Sequence, residues 1–119
     1  MIYPRAHVGG GSGGLALSLH TIYPHLKINV AELPSQVPVA RTLLDEAGGE
    51  SIYVHGCDIV ESPLSLCYDV AILRAVLQVM PPAHAEKTIR NVALSLNPGG
   101  CIIIMHAPLL SIHKNQLIH

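Results

Sequence analysis

The sequence predicts an α/β domain built on an open, mostly parallel sheet. Three observations carry that reading. Short apolar runs alternate with amphipathic stretches along the whole chain, glycine and proline punctuate the joins, and Asp69 to Leu73 is a continuous apolar run of the kind a doubly covered parallel strand requires.

The first strand is read at Arg5 to Val8 and runs into Gly9-Gly10-Gly11-Ser12-Gly13-Gly14. A helix follows from about Gly14 until Pro24, which cannot continue it. Leu26 to Ala31 forms the second strand, closed by Glu32-Leu33-Pro34. Ser35 is placed as the N-cap of a second helix, whose apolar positions Val37, Ala40, Leu43, Leu44 and Ala47 share a face and which Gly48-Gly49 stops. Ser51 to His55 is the third strand and Asp69 to Leu73 the fourth. Behind Pro81-Pro82 a third helix sets Ala85, Ile89, Val92, Ala93 and Leu96 on one face, with Glu86, Lys87, Arg90 and Asn91 opposite. Asn97-Pro98-Gly99-Gly100 stops that helix, and Cys101 to Met105 is the fifth strand.

Length and composition fit one domain, residues 1–119. Half of the 119 residues are hydrophobic and 13% are charged, which excludes intrinsic disorder as the main state. Seven Lys and Arg spread along the chain make no basic stripe, and Trp and Phe are absent, so no nucleic-acid partner is expected. No apolar run approaches the length of a bilayer span, so no membrane partner is expected either. Cys57, Cys67 and Cys101 show no CxxC spacing, which fits a reducing, cytoplasmic setting better than a disulfide framework or a zinc site.

The glycine run stands between a strand and a helix, where an open α/β sheet receives a nucleotide-like ligand. Residues without a Cβ let the backbone turn tightly there, and the helix N-terminus offers free N–H groups. Glu32, 18 residues past Gly14 at the end of the second strand, can accept hydrogen bonds from both hydroxyls of a ribose. Asp58 beside Ile59 suits an adenine, whose amino group donates to an acid while an apolar side chain covers its face. A plain loop aspartate is the alternative reading of Asp58, and a solvated strand-end residue that of Glu32.

Val8 to Ala16, Ala31-Glu32-Leu33-Pro34, Gly56-Cys57-Asp58-Ile59, Tyr68 to Arg74 and Leu96 to Gly100 stand in an order that resembles class I S-adenosylmethionine-dependent methyltransferases. The resemblance is to the caffeate and acetylserotonin type of O-methyltransferase and covers nearly all of the chain from Val8 to Pro108. It implies a Rossmann-like sheet of order 3-2-1-4-5 with helices on both faces. S-adenosylmethionine is the implied cofactor, and the hydroxyl of a small, aromatic molecule the implied methyl acceptor. Gly9, Gly11 and Gly13 would meet the methionine part, Glu32 the ribose, Asp58 and Ile59 the adenine, with Leu33 also among the cofactor-binding residues, and Arg74 would take the place of a basic residue after the fourth strand.

Departures from the family pattern bear on catalysis. Gln78 stands where the resemblance implies a histidine base, and an amide cannot take a proton at neutral pH. His106 stands where an acid would orient that base, and His7 where the first strand ends in Asp. His84 or His106 are candidates for a displaced base. The family's catalytic domain carries two further strands and is preceded by a helical domain; the sequence is therefore read as a partial domain, truncated or catalytically impaired, with a homo-oligomer or a companion domain as its expected partner. The fifth strand is expected as an open edge that invites pairing. An NAD-binding oxidoreductase shares the glycines and Glu32 and is the alternative reading, against which Asn97-Pro98-Gly99-Gly100 weighs; a non-catalytic cofactor-binding module is another.

Overall fold

The computed structural model describes residues 5–9, 13–65, 67–74 and 76–105, with residues 7–9 as backbone alone. Among these, five parallel strands form one sheet in the order β3-β2-β1-β4-β5, as the sequence predicts. The elements in chain order are β1 (Arg5–Gly9), α1 (Gly14–Ile22), β2 (Lys27–Glu32), α2 (Val37–Glu46), β3 (Tyr53–Gly56), β4 (Tyr68–Arg74), α3 (Pro82–Leu94) and β5 (Leu96–Met105). The parallel strands each need a crossover, and right-handed crossovers running in opposite directions from β1 put helices on opposite faces.

The strand period sorts the core. Ile28, Val30, Val54 and Ile72 pack under α1 and α2 with Ala16, Ala40, Leu44 and Ile52. Their alternates Ala71 and Leu73 face α3, where they meet Val92, with Ile59, Leu96 and Ile102 packed against them. The adjacent pair Ile72 and Leu73 thus serves both layers, which is why β4 reads as an unbroken apolar run.

Arg41 locks α2 to the chain that enters β3. Its guanidinium donates to the backbone carbonyls of Ile52 and Gly49, and its Nε donates to Asp45 at 2.9 Å. The end of α2 closes as expected on Gly48-Gly49, with the Gly49 N–H on the Leu44 carbonyl at 2.7 Å and the Gly48 N–H on that of Asp45.

Four local expectations are corrected. Ser35 is not a cap: it lies inside a 3-10 turn, Pro34–Gln36, and α2 begins beyond it with no side-chain cap bond. The third strand starts at Tyr53, because the Ile52 N–H turns back onto the Gly49 carbonyl at 3.0 Å. Asn97 to Gly100 does more than stop α3. Leu96 already pairs with Tyr68, and the next pair is Val70 with Cys101, so these four residues are a bulge inside β5. The bulge is held by Asp69, whose two carboxylate oxygens accept from the Asn97 amide at 3.1 Å and from the Arg5 N–H at 2.9 Å. Finally, the buried face of α3 is centred on Thr88, Val92 and Ser95 rather than on Ile89, which is 37% exposed, and Ala93.

At the sheet edge, β5 leaves Cys101, Ile103, Ile104 and Met105 exposed, in keeping with the expected open edge. No helix among the described residues is long and apolar enough to cross a membrane.

Candidate functional site

A parallel sheet brings the carboxyl ends of its strands to one edge, and the register shows how closely they align. Gly9 of β1 pairs with Ala31 of β2 and with Leu73 of β4, while Glu32 pairs with Gly56 of β3. Glu32 and Arg74 therefore each stand one residue beyond the level of Gly9, and Asp58 follows Gly56 by two. The edge from β3 to β4 spans three strand spacings, about 14 Å.

Gly13 is the N-cap of α1 and sits at φ 93°, a left-handed conformation costly for any residue with a Cβ. A Cβ there would also meet the Leu44 Cδ2 at 2.9 Å. Glycine is thus required twice over, by backbone angle and by the packing of α1 against α2. The Gly13 carbonyl accepts the Leu17 N–H at 2.9 Å, starting the helix, and the first-turn N–H groups of α1 have no side-chain cap.

Glu32 is half-buried, and that burial raises its carboxyl above the ordinary glutamate value. Its backbone carbonyl accepts the Cys57 N–H at 2.8 Å, which fastens the turn after β3 to the end of β2. Leu33 beside it is 54% exposed, an apolar side chain presented at the edge.

Asp58 stands at the head of a tight turn. Its Oδ1 accepts the Val60 N–H at 3.1 Å, and its backbone carbonyl accepts from Glu61 and Ser62 at 3.0 and 3.1 Å. The carboxylate is thereby oriented by its own loop. Ile59 is half-buried against the α3-side core. His55, one residue before Gly56, is buried, and burial pushes its imidazole below the usual histidine value; its Nδ1 faces the Ser65 hydroxyl at 3.5 Å.

Arg74 ends β4 with its side chain exposed, and Gln78 lies four positions on, in a 3-10 turn, Leu77–Val79, unforeseen in the sequence. Met80 closes that turn; its sulfur accepts from the Thr88 hydroxyl of α3 at 3.4 Å. His84 is exposed in the first turn of α3. Gly11 and His106 lie outside the described residues, as does the side chain of His7. Among the described residues no group of three or more His, Cys, Asp and Glu side chains converges as metal ligands would.

The structure therefore brings Gly9, Gly13, Glu32, Leu33, Asp58, Ile59, Arg74 and Gln78 to one edge of the sheet. A separate hollow of about 560 Å³, lined by Arg5, His20, His25, Lys27, Ser51 and Tyr53 among others, opens at the amino ends of β1 to β3. It is on the far side from these residues, and open α/β sheets receive ligands at the carboxyl ends.

The O-methyltransferase domain family model matches residues 5–118. This chain belongs to that family. Among curated proteins the chain is 33% identical over 107 residues to acetylserotonin O-methyltransferase of Mus musculus, covering 86% of this chain and 27% of that protein. It is 31% identical over 98 residues to the N,N-dimethyltransferase OxyT of Streptomyces rimosus, covering 82% and 28%. The chain thus spans a little over a quarter of the length of these relatives. Two solved structures superpose on it. PigF with SAH gives a TM-score of 0.77 at 28% identity over 89% of this chain and 36% of that one. The O-methyltransferase NcsB1 from neocarzinostatin biosynthesis, solved with S-adenosylmethionine and 2-hydroxy-5-methyl naphthoic acid, gives 0.74 at 27% identity over 84% and 31%.

Sequence reasoning missed one contributor to this edge. Asn91, assigned to the solvent face of α3, is half-buried and bonds to the turn after Asp58. Its signal was an asparagine inside a helix, where that residue type is unfavourable without a partner.

Proposed function

We propose that this chain forms the S-adenosylmethionine-binding part of an O-methyltransferase that acts on the hydroxyl of a small, aromatic acceptor. The observation that carries the reading is that Gly13 at the head of α1, Glu32 at the end of β2 and Asp58 just past β3 share the carboxyl edge of neighbouring strands, in a chain of the O-methyltransferase domain family. The donor set suits the parts of that molecule in sequence along the edge. Asp58 and Ile59 offer an acceptor and an apolar surface to adenine. Glu32 offers two carboxylate oxygens to the ribose hydroxyls, with Leu33 beside them. Gly9, Gly11 and Gly13 leave the backbone at the head of α1 open to the methionine part. Arg74 and Gln78 then flank the acceptor side, beyond β4.

S-adenosylmethionine supplies a sulfonium methyl group that an oxygen nucleophile can displace. The protein's own task is to hold the acceptor oxygen in line with it and to dispose of the hydroxyl proton. Gln78 can hydrogen-bond that oxygen but cannot take its proton. A histidine there would act as general base, so the chain with Gln78 acts best on acceptors acidic enough to ionise unaided. His106 stands at the position that would orient a base and has a weaker purpose when none is present.

The exposed apolar side of β5 is read as the surface that meets a companion domain or a second copy, and the three free thiols fit a reducing, cytoplasmic setting. Incubation with methyl-labelled S-adenosylmethionine and phenols of graded acidity tests the activity. Label in the most acidic phenols is expected, and label in none of them would contradict the reading; hydride transfer in a parallel incubation with NADH and a carbonyl compound would point to an oxidoreductase.

A further inference from the structure

The turn that presents Asp58 is held from two sides. Its own bonds run from Val60 to the Asp58 carboxylate and from Glu61 and Ser62 to the Asp58 carbonyl. These leave the Ile59 and Val60 carbonyls to be met from elsewhere. Both are met by one side chain: the Asn91 amide nitrogen donates to Ile59 at 2.8 Å and to Val60 at 3.1 Å. Two carbonyl acceptors fix which end of the amide faces them, since its oxygen would be repelled there. One turn on, the Ser95 hydroxyl donates to the Asn91 backbone carbonyl at 3.0 Å and accepts the Leu64 N–H at 2.9 Å. The last turns of α3 thus grip both ends of the segment from Ile59 to Leu64.

We propose that Asn91 is a positioning residue for the adenine end of the cofactor site, acting through the Ile59 and Val60 carbonyls to aim the Asp58 carboxylate and the Ile59 side chain. This rests on the reading that Asp58 and Ile59 frame the base. An unanchored turn would sample many orientations, and a bound base would have to order it, so removing the amide weakens adenine recognition and leaves the rest of the edge as it is.

The test is equilibrium binding of S-adenosylhomocysteine and of S-ribosylhomocysteine, which has the ribose and amino acid but no base, to the unmodified chain, Asn91→Ala and Asn91→Asp. Asn91→Ala is expected to weaken S-adenosylhomocysteine roughly 10-fold and S-ribosylhomocysteine less than about twofold. Asn91→Asp turns a carboxylate onto two carbonyl oxygens. Its affinity for S-adenosylhomocysteine, relative to the unmodified chain at the same pH, is expected to be poorest near neutrality and to recover as the new acid protonates and regains a donor. That pH profile would not arise from a general loss of packing. Equal weakening of both ligands, unchanged S-adenosylhomocysteine affinity in Asn91→Ala, or a flat relative profile in Asn91→Asp would each overturn the positioning role alone. Failure of the unmodified chain to bind S-adenosylhomocysteine would overturn the cofactor reading, and this inference with it.

Discussion

Gly56 lies so close against Pro34 that a Cβ on it would come to 3.1 Å from the Pro34 Cα and 3.3 Å from its Cγ. The turn after Glu32 therefore rests on the turn before Asp58, and the ribose and adenine ends of the proposed site are one packed unit. Gly56→Ala is expected to destabilise the fold by about 1 kcal/mol, since backbone rather than a side-chain tip must yield. Urea denaturation measures the loss. Cofactor affinity should fall as well, because Leu33 and Cys57 shift with the contact.

Gly13 combines a left-handed backbone with a crowded Cβ position. Gly13→Ala should cost about 1–2 kcal/mol through φ alone, with more from the clash with Leu44. A double-mutant cycle separates the two: Leu44→Ala in the same chain is expected to relieve the clash and leave the backbone cost. Full additivity in thermal denaturation would show that the Leu44 contact plays no part.

The clamp at Arg41 predicts a loss that another cation does not repair. One guanidinium serves the Ile52 and Gly49 carbonyls and Asp45 together, a fork that an ammonium cannot reproduce. Arg41→Met and Arg41→Lys are both expected to lower stability by about 1–2 kcal/mol, read by urea denaturation.

Two carboxylates give opposite pH signatures. Asp69 is held below the usual aspartate range by the Arg5 N–H and then by the Asn97 amide. Its stabilisation is present above the unfolded value of about 3.9 and is lost as the pH falls through its lower folded value. Asp69→Asn should flatten the acid limb of the stability curve. Burial raises Glu32, so its contribution to the fold is present below the unfolded glutamate value and is lost as the pH rises through the folded one. In the proposed site the Glu32 carboxylate accepts from the ribose, so affinity for S-adenosylhomocysteine is expected to climb over that same rise. Glu32→Gln should remove the climb and weaken binding roughly 10- to 100-fold.

Restoring a base tests the reading of Gln78. Gln78→His should raise methyl transfer to weakly acidic phenols by up to roughly 100-fold near neutral pH. The gain should shrink as the pH approaches the acceptor's own pKa, where ionised phenol needs no base. A gain that is flat with pH would argue for improved binding instead.

The strands and helices were legible because apolar runs alternate with amphipathic stretches, punctuated at Pro24, Gly48 and Pro81, whereas the order of the strands came from the family resemblance. That Glu32 and Asp58 lie at the carboxyl edge was legible for a related reason: Glu32 closes the second strand and Asp58 stands two residues past the third. What could not be read depends on tertiary contact. Asn97-Pro98-Gly99-Gly100 has the chemistry of a turn, and only the pairing of Leu96 with Tyr68 makes it a bulge within a strand. Ser35 has the chemistry of a cap, but Pro34 and Gln36 wind the chain into a 3-10 turn around it. Asn91 and Ser95 face inward because unpaired carbonyl and N–H groups of the β3 to β4 connection lie beneath them, a demand set by a distant segment.

Calorimetric titration of the chain with S-adenosylhomocysteine, with NADH as the comparison, tests the central claim most directly. Saturable 1:1 binding of S-adenosylhomocysteine that is weakened by Glu32→Gln is the expected result. Binding of NADH with no heat from S-adenosylhomocysteine would contradict the account.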